Sequence, residues 1–168
     1  MPEGVTDLFS LGRIARTVKP ISTSAATQQD CAECVTLLVE QLREHGVHVS
    51  AESLSAVLER VVADEQRGFL LLARAEGRVV GVAYVATILS VEHVGAAAWL
   101  EELYVAPGWR QRGVGSALVD AVLERARAAG MVAIDLEIDA GHSSAASLYE
   151  RSGFHRLQRS RWMRKLNQ

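Results

Sequence analysis

The chain has 168 residues, the size of one domain, and 49% of them are apolar, enough for one sizeable core without disulfides or a metal. Its formal net charge of −2 argues against nucleic acid or another polyanion as partner. The N-terminus carries no long apolar run, so neither a signal peptide nor a membrane span is expected.

Residues 1–12 read as a mobile arm and 13–168 as the folded domain. A first strand is expected over 16–22, with Pro20 weakening it or placing it at an edge. A helix follows over 27–45, where Cys31, Cys34, Val35, Leu38 and Leu42 recur at helical spacing, and Gly46 stops it. Cys31 and Cys34 form a lone C-x-x-C. A zinc site needs two further ligands and no second cysteine pair exists, so no metal is expected. Both thiols sit on the apolar stripe, as small buried hydrophobes in a reducing cytoplasm. A second helix spans 51–63, with Ser50 as N-cap and Leu54, Val57, Leu58, Val61 and Val62 as its buried face.

A hairpin comes next, with strands 69–74 and 79–89 joined by a turn at 75–78. Another strand covers 97–105 and ends at Pro107-Gly108. A helix begins inside the following glycine-rich segment and runs to 129. Then come a strand over 131–138, a helix over 143–152 and a last strand over 154–164. The order is β-α-α-β-β-β-α-β-α-β. The strand-helix-strand from Trp99 to Ile138 requires a parallel pair, and the hairpin requires antiparallel ones. The expected fold is a single α/β domain, a mixed sheet with helices on both faces.

The informative segment is Arg110-Gln111-Arg112-Gly113-Val114-Gly115-Ser116, which feeds a strand into a helix N-terminus. Such a terminus presents unpaired N–H groups and partial positive charge, and glycines let phosphates approach the backbone. The segment is not a P-loop, since no Gly-Lys-Ser/Thr is present. It is not the dinucleotide fingerprint, since Leu118 stands where the third glycine belongs. Spacing alone leaves two readings, a pyrophosphate cradle or a plain connecting turn.

Three elements in order resemble the GNAT superfamily of N-acetyltransferases. Arg110, Gly113 and Gly115 meet its R/Q-x-x-G-x-G/A motif. Leu100-Glu101-Glu102-Leu103-Tyr104-Val105-x-Pro107 resembles its fourth strand, and Ala145-x-x-Leu148-Tyr149-Glu150-x-x-Gly153-Phe154 its C-terminal helix. The resemblance implies acetyl-CoA as cosubstrate. Amides from Gln111 through Arg112, Gly113, Val114 and Gly115 to Ser116 would cradle its pyrophosphate, beside Arg110. Main-chain groups of Leu103, Tyr104 and Val105 would pair with the pantetheine arm as an added strand does. His142 stands where many members carry Asn, and either takes over its hydrogen bond or is a solvated loop residue.

Transfer to an amine requires removal of a proton and a donor near the departing thiolate. By resemblance Tyr149 is that donor. Glu101 and Glu102 compete as base. Adjacent strand residues face opposite ways, so simple alternation groups Glu101 with Trp99, Leu103 and Val105, and Glu102 with Leu100 and Tyr104. A bulge, usual in this family, breaks that count. Similarity to the polyamine-acetylating branch favours Glu101, acting through water. Glu137 and Asp139 add negative potential, and His93 lies in a loop at a strand end. The implied reaction is acetylation of a primary amine, most simply a small molecule such as a polyamine, amino acid or aminoglycoside. A protein N-terminus or lysine, or a non-catalytic acetyl-CoA-binding module, are the alternatives. A homodimer is the expected assembly.

Overall fold

The computed structural model describes residues 20–138 and 143–166. The arm at 1–12, the start of the expected first strand, Asp139 and His142 lie outside the described residues. A five-stranded sheet runs in the order β1 (Ser22–Ala25), β2 (Gly68–Ala75), β3 (Arg78–Ser90), β4 (Gly95–Val105), β5 (Ala133–Leu136). The first four strands are antiparallel neighbours, and β4 and β5 are parallel, as the crossover through α3 (Val114–Ala128) requires. The β2–β3 hairpin turns through Glu76 and Gly77, both at positive φ, the geometry that matches strand twist.

Two helices, α1 (Cys31–Glu44) and α2 (Ala51–Ala63), cover one face, where Leu38, Leu58, Leu72 and Val82 are buried. α3 and α4 (Ser143–Arg151) cover the other, where Leu118 of α3 packs over Leu71, Val85 and Leu100. Burying each such side chain contributes about 1.5–3 kcal/mol. Thr27 and Asp30 form a capping box ahead of α1, and the Ser50 hydroxyl accepts from the Ser53 amide at 3.1 Å to open α2. Cys31 and Cys34 are buried and unbridged, and burial pushes the Cys34 thiol up to about 12.

Three expectations need correction. The first strand forms at Ser22–Ala25, after Pro20 rather than across it. Val57 is exposed, because α2 packs through the narrower stripe of Leu54, Leu58 and Val61. No strand forms over 154–164. Arginines of that segment pair outward instead, Arg159 with Glu92 at 2.7 Å and Arg161 with Glu137 at 2.9 Å while stacking on Trp99.

Candidate active site

The site grows from a mismatch in strand length. β5 pairs with β4 only from Ala97 to Leu100, while β4 continues to Val105. Among the described residues, Glu101 to Val105 have no strand partner on that side. Main-chain groups at such an edge need partners, from water or from a ligand laid along it. Leu103, Tyr104 and Val105 lie along this edge, and Val105 O already accepts from Arg110 Nε at 2.9 Å.

The expected bulge is present, and it falls at Glu101. Glu102 pairs with Tyr84 of β3 and Leu100 with Val85, leaving Glu101 opposite neither. The inserted residue resets the alternation. Glu102 and Tyr104 face α1, whereas Leu100 lies in the core under α3. Glu101 is exposed, and its charge helps raise the Tyr84 phenol, after burial as the larger cause.

Glu102 is half-buried, and the Gln41 side-chain amide donates to its Oε2 at 2.6 Å. Gln41 is itself buried, on the stripe of α1 that also buries Cys34 and Leu38. Tyr149 projects from α4 into the core under α3, edge-on to Phe154 with ring centroids 5.6 Å apart. Burial raises the Tyr149 phenol to about 12, with the Glu102 carboxylate adding to the shift. The two groups sense one another through charge, from opposite layers of the sheet. At neutral pH the phenol keeps its proton and can only donate it.

The 110–116 segment meets the end of β4. Gln111 and Gly113 have positive φ, 60° and 86°, so the backbone reverses hand twice within three residues. Concave stretches of this kind converge N–H groups on an anion. Gly113 is the N-cap of α3, without a side-chain cap, and α3 has no acidic residue in its first turn. The first helical bond is from the Ala117 amide to Gly113 O, so the amides of Val114, Gly115 and Ser116 have no acceptor within the helix. A side chain at Gly113 would meet nothing within 4 Å, which marks open space in front of the loop. A Cβ at Gly115 would lie 3.3 Å from Leu148, so that glycine brings α3 close to α4. Val114 contributes through its backbone only, since its side chain is buried.

The two arginines differ. Arg112 is exposed and stacks on Trp109, 5.3 Å from the ring centroid. Arg110 bonds both carboxylate oxygens of Glu44 at 2.9 Å and donates through Nε to Val105 O at 2.9 Å. Tyr104 also donates to Glu44, at 2.8 Å. Burial tends to raise the Glu44 carboxyl, but the Tyr104 and Arg110 hydrogen bonds outweigh it and the net direction is down. Burial and the bond to Glu44 push the Tyr104 phenol up to about 12.

Sequence reasoning missed Gln41 and Glu44. The available signal was a polar residue at 41 continuing the apolar spacing of 31, 34 and 38. Glu137 is tied to Arg161, and His93 bonds Asp135 at 3.0 Å, beside the opposite end of β4 from the loop. Among the described residues no helix is long and apolar enough to cross a membrane, and no cluster of three metal-ligating side chains occurs.

Sheet, splay and open helix terminus together are those of an acyltransferase. The model of the acetyltransferase (GNAT) family matches residues 32–154, and the chain belongs to that family. Solved structures agree on the fold. An integron cassette protein from the mobile metagenome of Cole Harbour Salt Marsh superposes with a TM-score of 0.78 at 20% identity, covering 87% of this chain and 91% of that one. A possible acetyltransferase from Clostridium difficile 630 gives 0.76 at 16%, covering 88% and 99%. The aminoglycoside N-acetyltransferase AAC(6')-Iy, solved in complex with CoA, gives 0.76 at 18%, covering 89% and 97%. No curated protein matches.

Proposed function

We propose that this chain transfers the acetyl group of acetyl-CoA to a primary amine of a small molecule, of polyamine, amino acid or aminoglycoside type, by direct attack on the thioester. The observation that carries the reading is the edge of β4 without a β5 partner, running from Glu101 into the open N-terminus of α3. In this reading the amides from Gln111 to Ser116 hold the pyrophosphate, with Arg112 adding charge. The Leu103–Val105 edge takes the pantetheine arm as an added strand. His142 is assigned to the same arm by resemblance.

Glu101, exposed on the bulge, removes the ammonium proton through a water. The amine nitrogen then bonds the acyl carbon, the carbon–sulfur bond breaks, and the Tyr149 hydroxyl donates to the departing sulfur; the surplus proton on the new amide nitrogen passes through solvent to the phenolate and restores it. Glu102, held by Gln41, supplies negative potential for a cationic acceptor. The aminoglycoside enzyme among the structural neighbours supports a small-molecule acceptor. Buried free thiols support a reducing, cytoplasmic setting. Exposed Trp162, Met163 and Leu166 support a second copy as partner, which sedimentation analysis checks.

The test is purified full-length chain with labelled acetyl-CoA and a panel of small amines and peptides. Label transferred to a small amine is the expected result. Transfer only to peptides would move the acceptor class, and tight CoA binding without any transfer would reduce the chain to a binding module.

A further inference from the structure

Arg110 opens the loop assigned to the pyrophosphate, yet its charge is already engaged. Its Nη2 reaches both oxygens of Glu44, its Nε reaches Val105 O, and its plane lies 5.2 Å from the Tyr104 ring centroid. Tyr104 donates to the same carboxylate. Two roles compete for this guanidinium, a direct phosphate ligand or a clamp on the loop. If Arg110 turned to the phosphates, Glu44 would remain as an uncompensated negative charge beside a polyanion. Holding Glu44 removes that repulsion and engages the Nε and Nη2 donors at once.

The clamp also stands where the backbone needs it. Gln111, the next residue, has φ 60° without being glycine, a conformation that persists only when its surroundings hold it. On the other side, Glu44 lies three residues after Gln41, and Tyr104 two residues after Glu102. One face of α1 thus meets one face of β4 through two polar pairs, Gln41 with Glu102 and Glu44 with Tyr104. These pairs brace the half of β4 that has lost β5.

We propose that Glu44 is a positioning residue for the coenzyme site: from the end of α1 it holds Arg110 and Tyr104, and so sets the geometry of the loop that binds the pyrophosphate. This rests on the loop's being the coenzyme site. It makes coenzyme affinity depend on a helix that carries no residue of the glycine motif.

The test uses Glu44→Gln and Glu44→Ala in the full chain, with calorimetric titration of coenzyme A and steady-state kinetics. The expected result is a dissociation constant about tenfold weaker, the loss that one charge-assisted contact accounts for. KM for acetyl-CoA rises alongside it, with smaller changes in kcat and in KM for the amine. Tyr104→Phe, which removes only the hydroxyl, is expected to weaken binding in the same direction by less, and serves if the Glu44 variants fail to fold. Exchanging the charges, Glu44→Arg with Arg110→Glu, recovers part of the loss. Unchanged affinity in a folded Glu44 variant overturns the proposal. Tighter binding overturns it as well, since Glu44 would then be withholding Arg110 from the phosphates. If the wild-type chain itself does not bind coenzyme A, the functional reading falls and this role with it. Wild-type binding with unaltered Glu44→Gln affinity removes only the positioning role.

Discussion

Replacing Gly113 by Ala separates folding from coenzyme binding. Gly113 has φ 86° and ψ −3°, and a Cβ there meets nothing within 4 Å. The folding cost is therefore conformational alone, about 1–2 kcal/mol for an L-residue held left-handed. In a chain of this size each kcal/mol lowers the melting temperature by about 2–4 °C. Typical domains have about 5–15 kcal/mol of stability, so the variant stays folded at assay temperature. The methyl group, however, enters the open space before the unpaired amides of α3. Losing one backbone contact to a charged phosphate costs about 1.5–3 kcal/mol, or about 10- to 100-fold in affinity. Calorimetric titration with coenzyme A, alongside thermal unfolding, measures both quantities on one preparation. A Gly113→Ala protein that melts slightly early yet binds coenzyme A like wild type would refute the assignment of this loop.

Tyr149→Phe is expected to lower kcat at least tenfold, with little change in coenzyme A affinity; equal turnover in steady-state assays removes the donor role. Glu101→Gln is expected to lower kcat/KM about a hundredfold at neutral pH. The deficit shrinks as pH approaches the amine pKa near ~10, because the acceptor then loses its proton unaided, and a pH-independent deficit would count against a base. Tyr104 and Tyr149 are both raised from 10.0 to about 12, so the unfolded chain sheds these protons first. Stability contributed by keeping them neutral is present below 10 and lost as pH rises toward 12. Urea midpoints should fall across that window, less steeply in Tyr149→Phe, and an identical slope in the variant would contradict the burial argument.

What was legible in the sequence was what repeats or what only a few residues can do. The spacing of Cys31, Cys34 and Leu38 located α1, and Ser50 opened α2 where expected. Glu76-Gly77 made the hairpin turn, and Gly113 placed the start of α3. What escaped was set by partners distant in sequence. The segment 154–164 has enough apolar residues to suggest a strand, but its arginines found Glu92 and Glu137, about which local pattern says nothing. Gln41 and Glu44 interrupt an apolar stripe, and a sequence reading passes over such interruptions as solvated positions. They are buried or engaged only because β4 turns Glu102 and Tyr104 toward them.

That turn depends on one inserted residue. Without the bulge, Glu102 would share the face of Leu100 and be driven into the core beneath α3, where an unpaired carboxylate is costly. With Glu101 looped out opposite neither Tyr84 nor Val85, Glu102 and Tyr104 move to the α1 side and reach Gln41 and Glu44. The same insertion leaves Glu101 exposed at the point where β4 and β5 part. Two consecutive glutamates thereby take different environments, one solvated and one held, which alternation alone would have given in the opposite sense on the core side. The different roles proposed for them rest on the bulge, and the pH dependence of Glu101→Gln tests the base role proposed for Glu101 directly.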